Sequence, residues 1–188
     1  MEELSLHILD IVENSINAGA DRITVKIIID RIMDLFKIEI VDNGKGMDAT
    51  TVKQVIDPFF TTKPERKTGL GLPLLAQAAE SCGGKVIVNS QLEIGTTVTA
   101  TFRYAHIDRQ PLGNIDETLL ALIISHPEIH FIYQYENRVK NIYLDTEEMK
   151  KKLAPNSFNS PEGIQQLRRI LTPHNAGTIG KLEKEKGQ

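Results

Sequence analysis

Four short groups of residues have the types and spacing that chemistry on a phosphate-bearing ligand would use. Glu3, His7, Asp10, Asn14 and Asn17 follow one another in steps of four and three. On a helix such a series shares one polar face, with Asp10 and Asn14 a turn apart. A carboxylate at Asp10 could orient or deprotonate water, and the uncharged amide oxygen of Asn14 could ligate magnesium without repelling it. An ordinary solvated helix face has the same spacing, so this helix alone decides nothing. In a strand, Phe36, Ile38, Ile40 and Asp42 share one side, so an apolar face ends in a carboxylate. That charge is costly to bury unless donors meet it, and an adenine amino group is such a donor. Asn43-Gly44-Lys45-Gly46 follows, where missing side chains let backbone approach a flat ligand. The competing reading is an Asn-Gly hairpin turn, weakened because helical rather than strand residues come next. Last, Thr68-Gly69-Leu70-Gly71-Leu72-Pro73 leads into a helix and offers backbone N–H groups and a positive dipole end to an anion such as phosphate. No strand precedes it and no Gly-Lys-Ser/Thr follows, so it is neither the dinucleotide fingerprint nor the P-loop. A different nucleotide fold is required.

The elements that must position these groups follow from periodicity. Leu4, Ile8, Ile11, Val12 and Ile16 form the apolar stripe of a helix over 2–18, ended by Gly19. Residues 23–30 and 35–42 are rich in β-branched side chains and predict an antiparallel strand pair joined near 31–34. Asp48 caps a short helix to about Ile56. Residues 57–68 hold prolines and charges without periodicity and read as a mobile loop. A helix over 70–82 stops at Gly83-Gly84, and strands over 85–91 and 96–104 follow. Beyond these come a helix over 116–125, strands over 129–135 and 139–144, and two helices, the last capped by Ser160 with Pro161 first. The class is α+β, with helices layered on one face of a mixed sheet. The expected divisions are a first domain over 1–105, a small α/β extension over 106–180 that packs on it or docks a partner, and a disordered tail over 181–188.

Composition narrows the function. The chain has 188 residues, 40% of them hydrophobic, which is enough to bury a core. Its single cysteine and lack of a charged-then-apolar leader predict a reducing cytoplasm. No apolar run approaches the ~20 residues of a membrane span. A net charge of −3 with scattered basic residues predicts no nucleic-acid partner. The five histidines show no metal spacing, so zinc is not expected. Cys82 reads as a structural thiol and His7 as an ordinary helix residue. Phe131, Tyr133 and Tyr135 alternate along one strand face, usually a core pattern.

Taken in order, the segments resemble the ATP-binding domain shared by gyrase, heat-shock chaperones, histidine kinases and mismatch-repair ATPases, the GHKL superfamily. The resemblance is closest to the catalytic ATP-binding domain of histidine kinases. Asp10 to Ala18 resembles the family's N-box and Asp42 to Gly46 its Asp-x-Gly-x-Gly box. Pro58 to Pro64 with Gly69 to Leu72 resembles the phenylalanine and second glycine boxes, and Gly95-Thr96-Thr97 the last glycine-threonine box. The resemblance implies a two-layer α/β sandwich of the Bergerat type binding ATP and Mg2+. It assigns Asn14 to magnesium and phosphate, Asp42 to adenine, Gly44 and Gly46 to close packing, and Thr97 to a water-mediated adenine contact. Met47, Phe60, Lys63, Gly69, Leu70, Gly71 and Leu72 complete the implied cofactor site, with Lys63, Arg66 and Lys67 as lid cations. Where ATP-hydrolysing members carry Glu as the base, this chain has Asp10, one methylene shorter. The implied function is an ATPase or trans-acting protein kinase working on a protein partner; the alternative is a non-catalytic, ATP-gated regulator. Small proteins similar to this one accompany bacterial iron-hydrogenase and NADH-dehydrogenase-like subunits, which implies a redox complex as partner.

Overall fold

The fold is that of a computed structural model, which describes residues 3–55, 71–152, 158 and 160–172. Its first helix, α1 (Leu4–Asn17), turns Leu4, Ile8, Ile11 and Val12 onto the sheet, as the stripe predicts. Strands β1 (Arg22–Asp30) and β2 (Leu35–Asp42) pair antiparallel, with Ile23 opposite Asp42 and Asp30 opposite Leu35. Helix α2 (Ala49–Gln54) is capped by Asp48, whose carboxylate accepts the N–H groups of Thr50 and Thr51. Helix α3 (Gly71–Ser81) leads to the hairpin of β3 (Lys85–Gln91) and β4 (Gly95–Arg103), and β4 lies antiparallel beside β2.

Residues beyond 106 continue the same sheet. Helix α4 (Ile115–Ser125) precedes β5 (His130–Asn137), which pairs parallel with β1, and β6 (Asn141–Asp145) then pairs antiparallel with β5. Helices α5 (Thr146–Lys152) and α6 (Pro161–Leu171) follow, the latter capped by Ser160. The result is a mixed six-stranded sheet in the order β3-β4-β2-β1-β5-β6. One hydrophobic cluster joins α1, α3, α4 and α6 to the inward residues of the strands. Within it Phe36 and Phe102 meet edge to face with centroids 5.8 Å apart. Phe131 and Tyr133 are core residues, and burial together with the nearby Asp116 carboxyl pushes the Tyr133 hydroxyl above the usual phenol range. The opposite face carries charged pairs, including Lys37–Glu39 at 2.6 Å and Lys26–Glu136 at 3.7 Å, which suits a side of the sheet that no helix of the described residues covers.

A strap before α4 holds the start of α1. The N–H groups of Leu4 and Ser5 donate to the carbonyls of Pro111 and Leu112 at 3.0 and 2.9 Å, satisfying donors that a helix start leaves open. The same strap buries His7, whose Nε2 lies 3.2 Å from Gln110 Oε1, so the polar stripe expected along α1 is solvated only over its second half. Among the described residues no helix is long and apolar enough to cross a membrane.

Candidate functional site

The site is assembled where the end of α1, the end of β2 and the start of β4 meet. Ser15 lies one turn beyond Ile11, so it faces the sheet and is buried. Its hydroxyl is 2.6 Å from Asp42 Oδ2 and 3.2 Å from the Ile11 carbonyl oxygen. Asp42 continues the inward parity of Phe36, Ile38 and Ile40 but stands half-buried at the sheet's rim. Its Oδ1 accepts the N–H of Gly44 at 2.9 Å and that of Thr96 at 3.2 Å. Hydrogen bonds to a charged group contribute about 1.5–3 kcal/mol each. Oδ1 thus takes two donors and Oδ2 one, leaving Oδ2 able to accept another.

The glycine box is clamped between α1 and the β3–β4 turn. Lys45 N–H donates to the Ala18 carbonyl at 3.0 Å, and Glu93 N–H donates to the Lys45 carbonyl at 2.8 Å. A Cβ at Gly44 would stand 3.0 Å from the Cβ of Ala18, so the box lies flush on the end of α1. Gly46 has a φ of +64°, and a Cβ there would stand 1.9 Å from the Gln91 carbonyl oxygen. Asn43 ties the box to β1, accepting the N–H groups of Asp21 and Arg22 and donating to Asp21 Oδ1. Met47 is half-buried, and its N–H donates to Ser90 Oγ at 2.8 Å.

Asp10 and Asn14 are both exposed on the outward side of α1, as their spacing predicts. The start of α3 abuts Asp10: a Cβ at Gly71 would lie 2.8 Å from the Asp10 Cβ and 2.9 Å from its Oδ2. Leu72, expected among the cofactor contacts, is buried in the core, where an apolar side chain at that turn packs between α3 and the sheet. Thr97, expected at the adenine, stands in β4. Side chains alternate along β4, where Val98, Ala100 and Phe102 point inward, so Thr96 shares the face of Asp42 and Thr97 lies on the other. Phe60, Lys63, Gly69 and Leu70 lie outside the described residues, with Arg66 and Lys67. Ser15 and Thr96 fall inside the boxes without a role of their own and Ser90 outside them, although each has a signal: a polar residue at an inward parity position of its own element.

A family model described as histidine kinase-, DNA gyrase B- and HSP90-like ATPase matches residues 2–106. The chain is 37% identical over 91 residues to the sensor protein DegM of Bacillus sp. (strain B21-2), covering 48% of this chain and 24% of that one. It is 43% identical over 63 residues to the sensor histidine kinase ZraS of Escherichia coli (strain K12), covering 34% of this chain and 13% of the relative. To sporulation kinase A of Bacillus subtilis (strain 168) it is 31% identical over 94 residues, or 50% of this chain and 15% of that one. The chain thus spans a quarter or less of these relatives. A crystal structure of the N-terminal domain of a DNA repair protein superposes with a TM-score of 0.55 at 17% identity, covering 91% of this chain and 57% of that one, a likeness of fold. With more than half its length matched by that family model and with the same layered α+β architecture, the chain belongs to the histidine kinase-, DNA gyrase B- and HSP90-like ATPase family.

Proposed function

We propose that the chain binds ATP with magnesium where α1, β2 and β4 meet, and acts as an ATPase or trans-acting protein kinase on a separate protein. The observation that carries this reading is Asp42. Three donors fix its carboxylate at the rim of an apolar sheet face while one oxygen stays able to accept, which suits an adenine amino group. The donor set fits the remaining groups as well. The glycine box brings backbone close beside Asp42, and Asn14 offers a hard amide oxygen on the exposed side of the same helix. Magnesium, when bound, would neutralise phosphate charge; Asn14 would hold it and Asp10 would orient water or take its proton. Lys63, Arg66 and Lys67 are the candidates for the terminal phosphate. The kinase names of the relatives support phosphoryl transfer, and a redox enzyme complex is the proposed partner.

A second reading, an ATP-gated regulator without turnover, is favoured by the close packing of Asp10 on Gly71, which gives this carboxylate a structural position as well. The two separate on incubation of the chain and its co-purifying proteins with labelled ATP. The enzyme reading expects slow release of phosphate or label on the partner, and Asp10→Asn to depress turnover with ATP affinity nearly unchanged. Tight ATP binding with neither product would favour the regulator.

A further inference from the structure

Ser90 is a polar residue on the inward face of β3, two positions after buried Val88. Its hydroxyl meets three groups. It accepts the N–H of Met47 at 2.8 Å, donates to the carbonyl of Gly95 at 2.9 Å, and lies 2.8 Å from Thr96 Oγ1. A serine hydroxyl has one proton, and the Gly95 carbonyl, which can only accept, lies where it can take it. Either hydroxyl could donate across the 2.8 Å between them; with the Ser90 proton on Gly95, the donor is Thr96. With its proton turned toward Ser90, Thr96 Oγ1 keeps only lone pairs for a group approaching beside Asp42. The Asp42 carboxylate likewise offers only acceptors.

We propose that Ser90 is a specificity-positioning residue: acting through Thr96, it makes the wall beside Asp42 acceptor-only, which admits a purine with a 6-amino group and disfavours a 6-oxo purine. This rests on the ATP-binding reading above. A 6-amino group has two protons, one for Asp42 Oδ2 and one for Thr96 directly or through a water. A 6-oxo group would set lone pair against lone pair where the 6-amino group donates, leaving the acceptors that face it unpaired.

The test is titration of the full chain with MgATP and with MgITP, whose base carries a 6-oxo group. Wild type should prefer ATP. Ser90→Ala frees the Thr96 hydroxyl to turn and donate, so the ATP-to-ITP affinity ratio should fall about three- to tenfold, the scale of one hydrogen bond. Ser90→Thr, which keeps the hydroxyl, should retain the ratio. In a Thr96→Val background, Ser90→Ala should leave the ratio unchanged, because no threonine proton remains to redirect. A purely structural role would lower both affinities together. Should Ser90→Ala fail to fold, Ser90→Cys, with a weakly bonding thiol, should shift the ratio the same way. An unchanged ratio in the folded variant, or an equal change in the Thr96→Val background, overturns the relay. Failure of wild type to bind MgATP overturns instead the nucleotide reading beneath it, and the relay with it.

Discussion

Gly46 and Gly19 both have positive φ, +64° and +80°, yet a Cβ at Gly46 would meet the Gln91 carbonyl oxygen at 1.9 Å and one at Gly19 would meet nothing within 4 Å. Alanine at Gly19 therefore pays only for backbone conformation, about 1 kcal/mol. Alanine at Gly46 must also push β3 away from the box, and a cost above about 2 kcal/mol is expected. Denaturant unfolding of the two variants checks this, and equal losses would remove the clamp between box and hairpin. At this scale the sequence is readable where a residue's type carries its own constraint. Asp42 is such a case, since a carboxylate closing an apolar strand face announces donors nearby. The donors themselves are less legible, because Ser15 and Thr96 reach Asp42 only once helix and strands are packed. Which threonine of the last box shares the face of Asp42 follows from the parity of β4, which the inward side chains of Val98 and Ala100 fix.

At the scale of elements, periodicity and caps locate α1, the β1–β2 pair and the start of α6 because those signals are local. The corner between β6 and α5 has a chemistry of its own. Asp145 Oδ1 accepts the N–H groups of Glu147 and Glu148 at 2.9 and 3.1 Å and lies 2.9 Å from His130 Nε2. Burial opposes ionisation of Asp145, but the Glu148 N–H, the His130 ring and the Glu147 N–H outweigh it and hold the carboxyl below its usual range. A depressed folded pKa means stability that is present above the unfolded value of about 3.9 and is lost as pH falls through the folded one. Asp145→Asn should accordingly be less stable than wild type near neutral pH, and the gap should narrow on acidification below about pH 4. Urea midpoints across that range measure it, and a pH-independent gap would contradict the linkage.

At the scale of the molecule, the family match ends at residue 106 while the sheet runs on through β5 and β6. Parallel pairing of β1 with β5 joins residues more than a hundred positions apart, such as Arg22 and His130, and no local pattern encodes such a partner. The strap likewise binds Leu4, Ser5 and His7 of the first helix to residues 110–112. A chain ended after residue 105 would lose the β5 edge, these N-terminal acceptors, and the core contributed by Ile115, Leu119, Phe131 and Tyr133. Domains have only about 5–15 kcal/mol of net stability, so the shortened chain should lose cooperative unfolding, as read by circular dichroism on heating. A sharp transition at the full chain's midpoint would show that residues 1–105 stand alone. Helices α3 and α4, one from each side of residue 106, both pack on the helix that carries Asp10 and Asn14, so the proposed ATP binding is tested on the whole chain. Its most direct measurement is calorimetric titration of ATP into the full chain, with and without magnesium, and into Asp42→Asn. The expected result is binding that needs magnesium and weakens about tenfold or more in Asp42→Asn, the loss of a charge-assisted hydrogen bond. Equal affinity of wild type and Asp42→Asn for ATP, or no binding to either, would contradict it.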